Sequence, residues 1–422
     1  MSGLQSRLAR GAALTILAII AGCDLPKLGQ PSLTPYERYA RGLTANGLDS
    51  TAIGRDWLLA SDSAMRAPLR ATLPMREAGF YSRAEARAVA FRLSLTDGQR
   101  LDVSVQQEGQ PARLFVDLFE QPNDTIPRFE HRAGATTDSV GAGGLLRIAY
   151  EVRSTGTYLL RIQPELLRDG RYQVAASIGP QLAFPVDGQG NRAVQSFFGA
   201  ARDAGRREHH GIDIFAPRGT PALAATDGLV RSTSPNNLGG NVVWLSDVRR
   251  GQTMYYAHLD SQVVSPGQSV RVGDTLGFVG NTGNARTTKP HLHFAIYRRS
   301  YGPVDPYPFI RIVSARAPVI AADTSRLGYV AALTTPRTVL RRAPNGSADS
   351  VGALARATRV YVMGAQGRWF RVQLTDGRNG YVAMGSVGPS LSRTMRYGLT
   401  GVADGTSSLR VPSSATLRPV AP

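Results

Sequence analysis

From Glu77 to Gly179, apolar and polar residues alternate with a period of two, as in Phe91-Arg92-Leu93-Ser94-Leu95 and Leu101-Asp102-Val103-Ser104-Val105. Side chains two apart share one face of a strand, so this alternation predicts half-buried strands, and the intervening Asp97-Gly98 dipeptide predicts a hairpin that pairs them. Leu114-Phe115-Val116-Asp117-Leu118, Leu146-Arg147-Ile148-Ala149-Tyr150 and Tyr158-Leu159-Leu160-Arg161-Ile162 repeat the habit. Short strands at such intervals predict a β-sandwich over 71–179. His131 falls between two of these segments, near Gly134 and Gly141, and reads as a solvated loop residue.

The strand-and-turn pattern continues over 180–314. Gly228-Leu229-Val230, Asn241-Val242-Val243-Trp244-Leu245 and Thr253-Met254-Tyr255-Tyr256-Ala257 are strand candidates, with turns at Ser265-Pro266-Gly267-Gln268 and Val272-Gly273-Asp274. A second, antiparallel β domain follows from them. After a linker near 315–326, a third set of strands occupies 327–388, among them Arg359-Val360-Tyr361-Val362-Met363 and Arg368-Trp369-Phe370-Arg371-Val372. Helices are expected only near the N-terminus, within 23–70. There Thr34-Pro35-Tyr36-Glu37 offers an N-cap threonine, proline at the first helical position and a glutamate three residues after the cap. One or two short helices should run from there to about Met65. Residues 389–422, rich in Ser, Thr, Gly and Pro, read as a disordered tail. The fold class is mostly β.

Composition changes this picture in two places. At 422 residues the chain is long enough for two or three domains with cores of their own. Its formal charge of +18 invites polyanionic partners, but Lys27 and Lys289 are the only lysines and the arginines are spread without long basic runs. No nucleic-acid signature accompanies them, so no nucleic-acid partner is expected and only a mild preference for an anionic envelope surface remains. The N-terminus carries Arg7 and Arg10, an apolar stretch from Ala12 to Ala21 too short to span a bilayer comfortably, and then Ile20-Ala21-Gly22-Cys23. This resembles a bacterial lipoprotein signal. The resemblance implies that 1–22 are removed and that Cys23, the only cysteine, carries a lipid that holds the protein to a membrane outside the cytoplasm, on the periplasmic face of the inner or outer membrane.

The chemistry is concentrated in the middle of the chain. Five of the six histidines lie between His209 and His293, in His209-His210-Gly211-Ile212-Asp213, Tyr256-Ala257-His258-Leu259 and His291-Leu292-His293. In a strand, His291 and His293 share a face while Leu292 turns to the opposite side. Gly211 lets the backbone pass close to an ion, or bend so that His209 and Asp213 converge. Two imidazoles and one carboxylate form a catalytic zinc set with a fourth position for water, whose pKa the metal lowers. The spacing uses His209, Asp213 and one of His291 and His293. The other histidine of that pair, together with His258, is left to act as general base beside that water and as hydrogen-bond donor to an oxyanion. His210 has no assigned role and reads as a solvent-facing neighbour.

Over Pro180 to Ser314 the segment resembles the lysostaphin or LytM type of zinc metallopeptidase, peptidase family M23. The resemblance rests on Ser196-Phe197-Phe198-Gly199, Arg207-Glu208-His209-His210-Gly211-Ile212-Asp213-Ile214, Ala216-Pro217-Arg218-Gly219-Thr220-Pro221, Leu238-Gly239-Gly240-Asn241, Tyr256-Ala257-His258-Leu259, Gly280-Asn281-Thr282-Gly283 and Pro290-His291-Leu292-His293-Phe294. It implies His209, Asp213 and His293 as zinc ligands and His258 and His291 as the catalytic pair. Two departures stand out: the linker Asn284-Ala285-Arg286-Thr287-Thr288-Lys289 brings two cations toward the presumed groove, and Ala200 to Glu208 contains no tyrosine to support an oxyanion.

Residues 71–179 resemble the jelly-roll accessory domains found beside secreted peptidases. Residues 327–388 resemble a bacterial SH3-like barrel, with an Arg342-Ala343-Pro344 turn, a Trp369-Phe370 strand and Gly380-Tyr381-Val382 after an Asp376-Gly377 hairpin. Such barrels can bind wall peptides, but Trp369 and Tyr381 serve equally well as core. Together these resemblances imply a membrane-anchored zinc endopeptidase acting on the peptide cross-links of peptidoglycan. The alternatives are a non-cleaving activator of a wall amidase, whose relatives lack several of the five residues, and a wall-binding scaffold with a structural metal, for which cysteine ligands are lacking.

Overall fold

The computed structural model describes residues 33–109, 111–122, 128–136, 144–202, 205–299, 301–314 and 316–392. The N-terminal apolar stretch, Cys23 and residues 393–422 lie outside them. Among the described residues, no helix is long and apolar enough to cross a membrane. The chain is mostly β, with two helices near its start at Pro35–Ala45 and Ala52–Arg66. The first begins as its cap predicts: Thr34 Oγ1 accepts from Glu37 N at 3.1 Å and Glu37 Oε2 accepts from Thr34 N at 2.8 Å. Trp57 from the second helix is fully buried against Tyr36, Tyr39 and Phe115, and its indole N–H donates to Pro164 O at 2.7 Å.

The helices cover one face of a sandwich. Its first sheet runs Leu69–Arg70, Val89–Leu95, Gly156–Pro164, Leu114–Gln121, Glu130–Thr136. The facing layer contains Met75–Tyr81, Gly170–Pro180, Gln99–Glu108 and Leu145–Glu151, in that order. Val89–Leu95 and Gln99–Glu108 were expected to pair as a hairpin, and they do not. They lie in opposite sheets, with Leu93, Leu95, Leu101, Val103 and Val105 meeting in one core. Alternation describes strands that face one another across a core as well as strands that sit side by side. The Asp97-Gly98 turn is therefore an arch, whose amides donate outward to Thr155 Oγ1 at 3.0 Å and Val152 O at 3.3 Å. His131 is a second correction: it is a strand residue of Glu130–Thr136, and its Nε2 lies 3.1 Å from Asp117 Oδ1.

The second sandwich layer does not end at Met75–Tyr81. That strand pairs with Arg359–Gln366 through Ala78↔Ala365 and Gly79↔Gly364, so the C-terminal strands continue the same sheet. The predicted hairpin is present, with Trp369–Gln373 antiparallel to Asn379–Ala383 across the turn at Gly377, whose φ is +86°. Tyr381 is fully buried and the partly buried Trp369 packs on the sandwich core, so both lie at the junction between the sandwich and the C-terminal strands. Residues 389–392, expected to be part of a disordered tail, belong to a strand, because Val387–Ser392 pairs with Val330–Leu333.

The central segment forms its own ten-stranded sheet, whose main path runs Val194–Ser196, Ile212–Phe215, His291–Arg298, Gln252–Gln262, Asn241–Asp247, Gly228–Ser232, Ser269–Val270. Leu292, Phe294 and Ile296 point into its core together with Ile212, Ile214, Met254 and Tyr256. It is bolted to the sandwich by charge and shape. Arg298 makes a two-pronged bond to Asp97 (2.6 and 3.0 Å), while Arg249 and Arg250 both reach Glu151, at 2.6 and 2.7 Å. The Phe309 ring sits where a Cβ on Gly98 would come within 2.5 Å of it, at a backbone φ of +91° that also favours glycine.

Candidate metal centre and catalytic pair

Register brings the candidate ligands together. Ile212–Phe215 runs antiparallel to His291–Arg298 with Asp213 opposite His293 and Phe215 opposite His291. On the other side Gln252–Gln262 places Ala257 opposite His293. Because Leu292 and Phe294 are buried in the core, the odd-numbered His291 and His293 emerge on the opposite face. His209 arrives from the preceding hairpin, where its N donates to Ala200 O at 2.9 Å. Gly211 passes beneath the His293 ring so closely that a Cβ there would lie 2.8 Å from Cε1 and 2.6 Å from Phe294 O. Only a hydrogen fits.

His209 Nε2 is 3.0 Å from Asp213 Oδ1 and 3.0 Å from His293 Nδ1, and the last two atoms are 3.1 Å apart. Among the described residues, this is the group of three metal-capable side chains whose ligand atoms converge. His209 Nδ1 is 3.0 Å from Phe197 O, a contact that puts its proton on Nδ1 and leaves Nε2 bare. A bare nitrogen and a carboxylate oxygen then face each other with at most one proton, on His293 Nδ1, between the three atoms. Such a triangle is satisfied by a shared cation. A tetrahedral zinc with bonds of about 2.0–2.1 Å would hold its donors roughly 3.3 Å apart, close to what is seen. Burial by itself would raise the Asp213 carboxyl, but the adjacent His209 and His293 rings outweigh it and hold the group far below the usual carboxylate range. Burial pushes His293 below its ordinary value despite Asp213.

The second carboxylate oxygen is also accounted for. Arg202 Nη2 donates to Asp213 Oδ2 at 2.7 Å and to Ser196 Oγ at 2.5 Å, and Ser196 Oγ lies 3.3 Å from His209 Nδ1. Arg202 therefore orients one candidate ligand directly and braces a second through Ser196. The sequence reading missed it. Arg202 is one of three arginines between Ala200 and Glu208, and nothing local distinguishes it from Arg206 and Arg207.

His258 and His291 stand beside the triangle. Their ring centroids are 5.0 Å apart, His258 is 5.8 Å from His293, and His291 Nε2 is 4.0 Å from Asp213 Oδ1. Each has its Nδ1 occupied by a carbonyl, Thr282 O at 2.9 Å for His258 and Lys289 O at 2.8 Å for His291, which leaves both Nε2 atoms free. His291 stacks on Phe215 at 5.0 Å. His258 has a φ of +63°, a left-handed conformation costly for a residue with a Cβ, held here by its N–H bond to Gly239 O at 2.7 Å. Burial first, then the charges of His291 and His293, push its imidazole down to about 4, so it is neutral near pH 7. His210 is exposed and His131 lies in the sandwich; neither joins the cluster.

Residues 207–306 match the model of Peptidase family M23. This segment is an M23 peptidase domain, and its homologues include proteins named as peptidoglycan endopeptidases. The chain is 36% identical over 124 residues to the peptidoglycan DD-endopeptidase ShyC of Vibrio cholerae, covering 29% of this chain and 24% of that protein. It is 34% identical over 140 residues to the L-Ala--D-Glu endopeptidase of Bacillus subtilis, covering 31% of this chain and 43% of the other. The chain thus spans about a quarter to two fifths of the length of these curated relatives. Among solved structures, the catalytic domain of the antimicrobial peptidase lysostaphin from Staphylococcus simulans is 31% identical, with 27% of this chain and 89% of that chain covered and a TM-score of 0.25.

Proposed function

We propose that this M23 domain is a zinc endopeptidase that hydrolyses the peptide cross-links of peptidoglycan, on a chain anchored to a membrane of the bacterial envelope through a lipid on Cys23. The observation that carries the reading is the convergence of His209 Nε2, Asp213 Oδ1 and His293 Nδ1 to within 3.1 Å of one another, with two further imidazoles beside them. A zinc ion held by these three residues supplies a Lewis acid that polarises the scissile carbonyl and acidifies water. The protein's own part is positioning and proton handling. Because His258 and His291 each donate from Nδ1 to a backbone carbonyl, each presents an Nε2 that can take a proton or, once protonated, donate one to developing charge. The depressed basicity of His258 keeps it neutral until it is needed as a base. Arg202 keeps Oδ2 of Asp213 engaged, leaving Oδ1 to face the two ligand nitrogens.

The test is direct. Protein purified without residues 1–23 is expected to contain about one zinc per chain and to release peptides from peptidoglycan whose masses identify the bond cut. His291→Ala should abolish release while keeping the metal. Well-folded, zinc-free protein that releases nothing yet stimulates a wall amidase would instead establish a non-cleaving activator.

A further inference from the structure

The two imidazoles of the catalytic pair are tied to opposite ends of one loop. His258 Nδ1 bonds Thr282 O and His291 Nδ1 bonds Lys289 O, at 2.9 and 2.8 Å, so residues 282–289 are closed by the pair itself. The loop is braced internally as well. Thr282 Oγ1 donates to Leu259 O at 2.8 Å and accepts from Asn241 N at 2.9 Å. Asn281 Nδ2 reaches Arg286 O at 3.3 Å and Thr288 O at 3.2 Å, and Thr288 Oγ1 donates to Ala285 O at 2.8 Å. Asn281 Oδ1 accepts in turn from Arg218, which is also paired with Asp260.

What this loop presents is positive. Ala285 is buried, whereas Arg286 and Lys289 are exposed, and among the described residues neither has a carboxylate partner. The one acid in the bracing network, Asp260, is already neutralised by Arg218. Lys289 is the only lysine among the described residues and sits two positions from His291. A cation on a preordered loop gives up little further backbone freedom when it takes an anion, and a guanidinium matches a carboxylate in two-pronged geometry.

We infer that Arg286 and Lys289 read a carboxylate of the substrate next to the scissile bond, making the domain selective for acidic peptides over the same peptides with that carboxylate amidated. The inference rests on the peptidase reading above and deepens it: the pair that moves protons and the pair that reads charge share one loop.

The experiment uses the zinc-loaded protein and two matched cross-linked peptides, one with a free carboxylate beside the scissile bond and one amidated there. Exposed pairs contribute up to about fivefold each, so two cations should favour the acid by on the order of tenfold in kcat/KM, carried by KM. In Arg286→Gln/Lys289→Gln, with its thermal midpoint unchanged, that ratio should fall to near one. In a His291→Ala background, which binds without turnover, calorimetric binding of the acidic peptide should weaken with added salt and weaken again in the double variant. Equal cleavage of both peptides by the wild type, or a preference untouched by the double substitution, overturns the inference while leaving the peptidase reading intact. Failure of the wild type to cleave either peptide overturns both.

Discussion

The Glu77 cluster, where the sandwich meets the C-terminal strands, and the His209 cluster in the central sheet are both buried and both charged, yet they are built on opposite terms. Glu77 is fully buried; its Oε1 accepts from Arg371 Nε at 2.7 Å and its Oε2 from the Tyr381 hydroxyl at 2.5 Å. Arg371 Nη2 goes to Met363 O at 3.1 Å and toward the Tyr172 hydroxyl at 3.5 Å. Here acceptors meet donors and the charges cancel. Burial alone would lower the Arg371 guanidinium, but the adjacent Glu77 carboxylate holds it above its ordinary value, and burial pushes the Tyr172 hydroxyl up to about 12. In the His209 cluster, His209 Nε2 and Asp213 Oδ1 face each other 3.0 Å apart as two acceptors, while Arg202 donates only to the outer oxygen, an arrangement suited to a shared cation. Burial and perturbed pKa values are common to both places and do not by themselves identify a functional site. The mismatch in donors is what distinguishes the two clusters.

The largest effect that would break this contrast comes from the ligands. His293→Ala or Asp213→Asn should lose bound zinc, measured by metal analysis, and lower peptide release on the order of a thousandfold or more, since the metal's share is several kcal/mol. A His293→Ala protein with wild-type turnover would leave the two clusters indistinguishable. Next, Glu77→Leu or Arg371→Leu should each cost about 3–5 kcal/mol in denaturant unfolding, because a buried charge is stranded. The double variant should recover much of that loss, while zinc content stays unchanged throughout. A smaller effect is expected at Arg202: Arg202→Ala should weaken zinc about 10–100-fold in a chelator competition, with the fold intact. That result would show that the one donor assigned to the metal cluster's outer oxygen serves the metal and not the fold.

The smallest effect concerns acid and the junction between the peptidase and the sandwich. Burial alone would raise Glu151, but hydrogen bonds and charge from Arg249 and Arg250 outweigh it and hold its pKa below its ordinary 4.5. For a carboxylate depressed on folding, the stabilisation is fully present above the ordinary value and is lost as pH falls through the depressed one. Thermal midpoints of the wild type should therefore drop more steeply below pH 4.5 than those of Glu151→Gln. Parallel curves would remove Glu151 from the account of the junction.

Much of this was legible locally. The Thr34 to Glu37 capping box specified a helix start because a cap involves only residues three apart. His-Leu-His specified a shared face because strand alternation is a property of the backbone. Arg202 was not legible, since its value depends on a hairpin folding back over Asp213, and nothing in an arginine's neighbours reveals that. The pairing of Val89–Leu95 was misread because neighbouring strands and facing strands have the same period. His131 was misread because its partner, Asp117, sits on an adjacent strand.

Taken alone, the chain determined the class of its elements, the face each side chain takes and the set of residues suited to zinc chemistry, because these follow from interactions a few residues long. The tertiary structure alone decided that Asp213 lies opposite His293, that the C-terminal strands extend the sandwich sheet through Met75–Tyr81, and that Arg202 reaches the outer oxygen of Asp213. Those outcomes depend on register and on contacts between distant segments, which are selected by the burial of whole faces and leave no trace in local pattern.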